Sequence, residues 1–241
     1  MSKHIVWSGN RWVSLLCGLS LGLLLPRFAS ADDAAPNTLS DREKADGWKL
    51  LFDGKSTSGW RGVKQDKCPD GWQAVNGALA RVKGAGDIIT IDQFANFELV
   101  FDWKVAEGAN SGVFFRVNED HGVIQSPEYQ VVHNQKHPDG RNPQTSAASN
   151  YALHAPKKDL TKPPGEWNQG KIIANGNHIE HWLNGEKVLE YELGSPEWTS
   201  LVKKSKFASM DHYGKSTKGH IALQDHGDHV EYRNLKIRPI K

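Results

Sequence analysis

From Gly47 to its end, the chain alternates short runs of aromatic and β-branched residues with tight-turn signals. Asn76-Gly77 and Asn184-Gly185 each separate two such runs, and Asn-Gly suits the two-residue turn that joins antiparallel strands. No segment keeps helical periodicity over three turns, and the sequence has no internal repeat or interdomain linker. The pattern therefore predicts an all-β domain, either a β-sandwich or a barrel, over residues 46–241.

Two of the predicted strands, between Asn110 and Val132, carry polar residues among their apolar ones. Side chains alternate between the two faces of a strand, so Glu128 and Gln130 should share one face. By the same rule Phe114 and Arg116 should share a face. These side chains predict a polar binding surface on one side of a sheet. The alternative is a solvated outer face on which Arg116 and Glu128 form a cross-strand ion pair.

The first 31 residues have the order of parts found in a secretory signal peptide. A basic start is followed by an apolar run over residues 12–25 and by the small-residue cleavage site Ala29-Ser30-Ala31. The apolar run is shorter than the roughly 20 residues that a membrane-spanning helix needs. We therefore expect cleavage after residue 31, a secreted or periplasmic location and no membrane span afterwards. Residues 32–45 are expected to form a flexible leader, with Asp41 to Ala45 as a candidate for one short helical turn.

Charge and cysteine content exclude some classes of partner and of stabilisation. Removal of residues 1–31 takes away three basic residues and no acidic one, so the formal charge changes from +2 to −1. A nearly neutral chain has no general attraction for nucleic acid or for an anionic membrane. Cys68 would be the one cysteine left, so no internal disulfide can form. The fold must depend on its apolar core.

Two long polar segments, residues 135–148 and 154–167, flank the strand that holds Glu128. Loops of this length are usually functional or disordered, and we expect them to form the walls of a cleft. His133 and His137 have the four-residue spacing of a helical metal-ligand pair. The following Pro138 favours a loop instead, so the spacing alone gives little support for a metal site.

Several motifs in a fixed order carry a resemblance to a known family. They are Gly47-Trp48-Lys49-Leu50-Leu51-Phe52-Asp53-Gly54-Lys55, Asn110-Ser111-Gly112-Val113-Phe114-Phe115-Arg116, Glu128-Tyr129-Gln130, Glu166-Trp167-Asn168, His181-Trp182-Leu183-Asn184-Gly185 and Gln224-Asp225-His226-Gly227. Over about residues 45–240 the chain resembles the 3-keto-disaccharide hydrolase domain family. The resemblance implies a concanavalin A-like jelly roll, which is a β-sandwich of two curved antiparallel sheets, and an exported bacterial protein.

The resemblance also implies a substrate and a chemistry. The substrate would be a glycoside whose sugar ring carries a ketone at position three, made by a sugar-oxidising oxidoreductase. The ketone acidifies the hydrogen on the neighbouring carbon, so a base can remove it and expel the aglycone. Such a site needs a base, a group that stabilises the enolate oxygen and an acid for the leaving oxygen. It does not need the paired carboxylates of an ordinary glycosidase.

Residue type and placement give the candidates for these roles. Glu128 and His226 are candidate acid–base groups, and Arg116 is the candidate for holding the enolate. A divalent metal ion bound by Glu128 and His226 would also suit this chemistry. The candidate substrate-binding residues are Gln130, Gln224, Asn110, His181 and Trp167.

Each of these assignments has an alternative. His181 fits core packing as well as sugar contact, and His226 lies in a sequence that also fits a plain polar turn. At the level of the whole protein, the alternative to an enzyme is a non-catalytic carbohydrate-binding module. This type of fold hosts both functions, so fold cannot decide between them.

Overall fold

The computed structural model describes residues 1–4 and 35–240, and within it residues 35–240 form two antiparallel sheets packed face to face. Residues 5–31 of the predicted signal peptide and residues 32–34 of the predicted leader lie outside the described residues. The helices and strands, in chain order, are α1 Asp41–Ala45, β1 Lys49–Leu50, β2 Trp60–Gly62, β3 Trp72–Val75, β4 Ala78–Arg81, β5 Ile88–Thr90, β6 Phe97–Val105, β7 Asn110–Val117, β8 Glu128–Val132, β9 Asn168–Asn175, β10 His178–Leu183, β11 Glu186–Glu192, α2 Pro196–Lys204, β12 His220–Leu223 and β13 Val230–Pro239. The predicted all-β sandwich is confirmed.

The larger sheet has eight strands, in the order β11-β10-β9-β6-β13-β4-β3, with β1 also paired to β13. The smaller sheet has five strands, in the order β2-β5-β12-β7-β8. The β3–β4 hairpin turns at Asn76-Gly77, where both residues have the positive φ that the Asn-Gly signal predicts. Within the described residues no helix is long and apolar enough to cross a bilayer.

The main core lies between the sheets and is built largely from aromatic side chains. Phe97 contacts Phe115 with ring centroids 6.2 Å apart, and Phe101 contacts Tyr129 at 5.2 Å, both edge to face. A second, smaller apolar cluster lies on the other side of the smaller sheet and contains Ile89, Phe114, Val117, Val123 and Ala222. We call this second side the outer face of the smaller sheet. Because β7 is covered on both sides, all of its residues are buried.

The last residues of the predicted leader contact the larger sheet, and Asp41–Ala45 forms the short helix α1. Asn37 is buried and exchanges hydrogen bonds with Asn234, at 2.7 and 2.9 Å. Helix α1 begins at a capping box in which Ser40 and Glu43 satisfy each other's backbone N–H groups. Glu43 also pairs with Lys236 of β13. These long-range contacts tie residues 37–45 to the larger sheet, which composition alone cannot reveal.

Helix α2 is not predicted from the sequence, and it is the longest helix among the described residues. Ser195 caps its first turn and Pro196 occupies the first helical position, while Trp198 is buried against the core. The helix has only nine residues, which is less than three turns, so its sequence is too short to show a clear helical period. Its segment leads directly into residues 205–219, which cover part of the outer face of the smaller sheet.

Candidate active site on the outer face of the smaller sheet

Glu128 begins β8 and points to the outer face of the smaller sheet. It lies opposite Phe114 of β7, and its carboxylate extends over Gly112, which also belongs to β7. A Cβ atom at position 112 would lie 2.2 Å from Glu128 Oε1, so the carboxylate takes the space that any other residue would fill. Glu128 is only 4% exposed, and its carboxylate forms no hydrogen bond with any residue that the structure describes. A buried carboxylate without partners is a costly arrangement and typical of a functional group.

The surroundings of Glu128 favour its protonated form. Burial, first of all, raises the pKa of Glu128 to about 8, and the nearby carboxylates of Asp87 and Asp139 add to the shift. Lys206 opposes it as a cation. A carboxyl group with this pKa can exchange a proton near neutral pH, and once ionised it is a stronger base than an ordinary glutamate.

One wall of the site comes from the segment that follows β8. Tyr151 donates a hydrogen bond from its hydroxyl to Asp139 Oδ2 at 3.2 Å, and Asn110 Nδ2 donates to the same oxygen at 3.2 Å. Residues 148–151 pair with β8 through three backbone hydrogen bonds and so extend the sheet beyond Glu128. The long loop predicted here is therefore a folded wall that brings Asp139 and Tyr151 towards Glu128.

A second wall comes from residues 205–219. Lys206 Nζ lies 4.2 Å from the centre of the Tyr151 ring, so the two walls meet at a cation–π contact. Tyr213 is buried in the same segment, and its hydroxyl has no hydrogen-bond partner among the described residues. Gln125 holds the segment in place, since its carbonyl accepts from Gly214 N and its side chain from His212 N. Lys206 on this wall is the cation whose charge favours the ionised form of Glu128.

Two amide side chains complete the floor of the site. Gln224 follows β12, and its backbone N–H donates to the carbonyl of Gly112 at 3.0 Å. Gln224 is therefore next to Gly112, over which the Glu128 carboxylate lies. The side-chain oxygens of Gln224 and Asn110 are buried and have no partner among the described residues. Buried acceptors are almost always satisfied, so these two atoms point to a ligand with hydroxyl groups.

His226 lies at the end of this floor with two further ligand-type residues. One side-chain ligand atom from each of His137, His226 and Asp228 lies within 4.8 Å of the other two. The His137 and His226 ring centroids are 5.7 Å apart. Glu128, which the sequence predicts as a metal ligand together with His226, is not part of this group.

Comparison with known proteins now identifies the family. Residues 47–238 match the family described as the 3-keto-alpha-glucoside-1,2-lyase-like domain. The chain belongs to this family. It is 36% identical over 229 residues to a 3-keto-disaccharide hydrolase of Bacteroides thetaiotaomicron, which covers 80% of this chain and 79% of the relative. The resemblance found in the sequence motifs is confirmed, and the chain is an enzyme of a family that acts on glycosides.

Two crystal structures of Parabacteroides distasonis proteins, provisionally described as glycosyl hydrolases, share the fold of this lyase-like domain. One has a TM-score of 0.80 at 32% identity, covering 86% of this chain and 100% of the other. The second has a TM-score of 0.63 at 30% identity, covering 80% and 99%. The sandwich and its sheets are therefore features of the family.

Arg116, the predicted enolate-binding residue of this lyase-like domain, does not lie with Glu128. The β7–β12 pairing shifts register between His220 and Ala222, and Arg116 adopts a positive φ of 54° at this bulge. Its guanidinium Nε donates to the Ala95 carbonyl at 2.9 Å, and a terminal nitrogen donates to Asn96 Oδ1 at 3.3 Å. Ala95 and Asn96 precede β6 of the larger sheet. The expectation that Phe114 and Arg116 share a face is therefore wrong.

Three predicted substrate-binding residues, His181, Gln130 and Trp167, are not available to a substrate at Glu128. His181 is completely buried, its Nδ1 contacts the Ala148 carbonyl at 3.0 Å, and burial lowers its pKa to about 4. Gln130 uses both ends of its amide internally, donating to the Thr145 carbonyl and accepting from Val131 N. Both side chains hydrogen-bond to backbone carbonyls of the segment that forms the first wall, Thr145 and Ala148, and both are buried, so neither is open to a substrate.

Trp167 lies on the far side of the sandwich. Its ring stacks with the guanidinium of Arg233 at 4.2 Å, and Lys104 Nζ lies 4.8 Å from its centre. Both partners belong to strands of the larger sheet, whereas Glu128 lies on the smaller sheet. Trp167 therefore cannot contact a sugar bound at Glu128.

The structure brings together Glu128, Gln224, Asn110 and His226 from the sequence-based candidates, and it adds residues that were not among them. The added residues are Asp87, Asp139, Tyr151, Lys206, Tyr213, His137 and Asp228. Two of these had a signal in the sequence: His137 has the four-residue spacing to His133, and Asp228 lies two residues after His226 in a polar motif. The others lie on loops whose position depends on packing, which has no periodic pattern in the sequence.

Proposed function

We propose that this chain cleaves the glycosidic bond of 3-keto-glycosides by elimination, with Glu128 as the general base. One observation carries the proposal: a buried carboxylate without a hydrogen bond, with its pKa raised to about 8, on a face lined by unpaired hydroxyl-binding groups. Abstraction of a proton from carbon needs a base stronger than an ordinary carboxylate. The family name and the name of the Bacteroides relative support a 3-keto substrate.

The reaction follows from the position of the ketone. Glu128 takes the proton from C2, and the electron pair of the broken C–H bond forms an enolate with the C3 ketone. The enolate then forms the C1–C2 double bond as the C1–O bond breaks, and the leaving oxygen takes a proton. Addition of water across the double bond turns the elimination into a net hydrolysis. Lys206, the cation that acts on Glu128, is suited to stabilise the enolate oxygen.

The substrate itself must come from an earlier oxidation. An ordinary sugar has a hydroxyl at C3, and its C2 proton is too weakly acidic for this route. An oxidoreductase that converts a C3 hydroxyl into a ketone is therefore the class of enzyme that supplies the substrate. The resemblance to the 3-keto-disaccharide hydrolase family implied the same partner.

The proposal is tested with a pair of chromogenic glucosides that differ only at C3. We expect the protein to release the aglycone from the 3-keto-glucoside and to leave the unoxidised glucoside intact. The measurement is aglycone absorbance, with the sugar product identified by mass spectrometry. Binding of both sugars without release would support the alternative, a carbohydrate-binding module. Release from the unoxidised glucoside at the same rate would contradict the elimination chemistry.

Export is the second part of the proposal, and it rests on the sequence of residues 1–31. A basic start, an apolar run and a small-residue cleavage site suit a secretory signal. We expect the full chain expressed in a bacterial host to appear in the periplasm with Asp32 as its first residue. Intact-mass measurement and fractionation check this result. A cytoplasmic protein that keeps residues 1–31 would contradict it.

A further inference from the structure

We propose that His137, His226 and Asp228 form a binding site for a divalent transition-metal ion beside Glu128. Two imidazoles and one carboxylate are the ligand set that Zn²⁺, Mn²⁺, Fe²⁺ and Co²⁺ accept, and three protein ligands leave coordination positions open. The three residues come from two separate segments of the chain, and their ligand atoms all lie within 4.8 Å of one another. The site is thus assembled by the fold and not by sequence neighbours alone.

The segment that holds His226 and Asp228 is fixed before any ion arrives. Asp225 accepts hydrogen bonds from Arg81 Nε at 2.7 Å, Ala85 N at 2.6 Å and Gly86 N at 3.0 Å. Gly227 follows with a φ of 101°, a conformation open to glycine but rarely to other residues. Asp225 therefore anchors the turn, while His226 and Asp228 on either side of Gly227 face His137.

The other side of the site is held by Asn110 and Asp139. Asn110 N donates to Asp228 Oδ2 at 3.0 Å, and its side chain donates to Asp139 Oδ2 at 3.2 Å. Asp139 N donates to Nδ1 of His137 at 3.1 Å. Asn110 and Asp139 thus hold Asp228 and His137 on this side of the site.

A second group with similar spacing shows what separates a metal site from a surface ion-pair network. His178, Glu180 and Glu190 also offer ligand atoms within 4.8 Å of one another. Lys187 already occupies that group, since its Nζ lies 3.2 Å from Glu180 and 2.7 Å from Glu190. No lysine or arginine forms a salt bridge with Asp228 among the described residues, and the nearby Arg81 donates to the Gly227 carbonyl and to Asp225 instead. The charge of the first cluster is thus free for a metal ion.

The position of the proposed ion gives it a role, which rests on the proposed function. Asn110 and Gly112 lie on the same face of β7, about 7 Å apart by strand geometry, and the Glu128 carboxylate extends over Gly112. An ion held beside Asn110 would lie at the end of the floor towards which Glu128 points. There it would bind the ketone oxygen and a neighbouring hydroxyl and increase the acidity of the C2 proton.

Metal binding itself can be measured without any substrate. The purified protein is stripped with a chelator, dialysed and titrated with Co²⁺, with heat of binding and visible absorption as readouts. We expect one equivalent to bind, with d–d bands that report nitrogen and oxygen ligands. His226→Ala and Asp228→Asn should each weaken Co²⁺ binding by about 100-fold or more. His178→Ala is the matched control and should bind like the wild type, and thermal unfolding confirms that each variant is folded.

Three results would overturn the metal site: no saturable binding, unchanged binding in folded His226→Ala and Asp228→Asn, or equal weakening in His178→Ala. The proposed function fails separately. If Co²⁺ binds as expected but no 3-keto-glucoside is cleaved, the metal site stands and the elimination chemistry is lost. If the chelated protein cleaves the substrate normally and binds no ion, only the metal site is lost.

Discussion

Glu128→Gln is expected to lower turnover of a 3-keto-glucoside by about 10²–10⁴-fold, the usual contribution of a general base. Glutamine has nearly the same shape, so it fits the space over Gly112 and keeps the site intact. It cannot accept a proton from carbon. Sugar binding, measured by calorimetry with the unoxidised glucoside, should change little. Full turnover by this variant would remove Glu128 from the mechanism.

The same assignment fixes the direction of the pH dependence. A base works in its ionised form, and the pKa of Glu128 lies at about 8. Turnover of the wild type should therefore rise with pH and level off above about pH 8. The rate measured from pH 5 to 9.5 checks this, with protein stability followed in parallel. A rate that falls over this range would make Glu128 an acid and not a base.

Arg116→Met is the matched control for loss of a charged side chain. Arg116 hydrogen-bonds to Ala95 and Asn96 and lies at a bulge, so its removal should destabilise the fold by about 2–3 kcal/mol. Turnover per folded molecule should stay close to that of the wild type. A folded Arg116→Met protein with turnover as low as Glu128→Gln would restore the enolate-binding role that the sequence suggested.

The second large effect concerns stability: Glu128→Gln should stabilise the protein at high pH. The folded pKa of Glu128 is about 8, above its ordinary value of 4.5. Between these pH values the folded chain keeps a proton that the unfolded chain has lost, so stability falls as pH rises. At pH 9 the buried charge should cost roughly 3–5 kcal/mol. Glutamine removes this penalty.

Denaturant unfolding at two pH values measures the effect. Below pH 5 the carboxyl group is largely neutral in the folded state, so wild type and Glu128→Gln should differ little. At pH 9 the variant should be more stable by several kcal/mol. Equal stability of the two proteins at pH 9 would mean that Glu128 is not held in a desolvated site.

Glu119→Gln provides a control with the opposite sign. Arg61 pairs with Glu119 at 2.6 Å, and this hydrogen bond lowers the pKa of Glu119 to about 2. A lowered pKa contributes stability that is present above pH 4.5 and lost as pH falls towards 2. Glu119→Gln should therefore be less stable than the wild type at both pH 5 and pH 9. The contrast separates a specific effect at Glu128 from a general effect of removing a carboxylate.

Much of the sandwich follows from local patterns in the sequence. The turns predicted at Asn76-Gly77 and Asn184-Gly185 join β3 to β4 and β10 to β11. Glu128 and Gly112 share the outer face, as strand alternation requires. Alternation and turn chemistry depend on residues a few positions apart, so they can be read from the sequence without knowledge of the fold.

The predictions that the structure contradicts concern side chains whose surroundings depend on contacts between distant segments. Alternation placed Arg116 beside Phe114, but one extra residue at the bulge turns the side chain towards the larger sheet. His181 and Trp167 were plausible sugar contacts by residue type. His181 is buried in contact with the Ala148 carbonyl, and Trp167 packs against the larger sheet, away from Glu128. Nothing within a few residues of either position indicates this.

The sequence by itself determined the β architecture, the family and the presence of a polar strand with Glu128 at its start. The tertiary structure alone decided which groups surround Glu128. Asp139, Tyr151 and Lys206 reach it because two long segments fold back over the smaller sheet, and His137 reaches His226 in the same way. The physical reason is distance along the chain: strand periodicity relates residues two positions apart, whereas the pKa of Glu128 depends on loop residues as far away as Lys206, about 80 residues later in the chain.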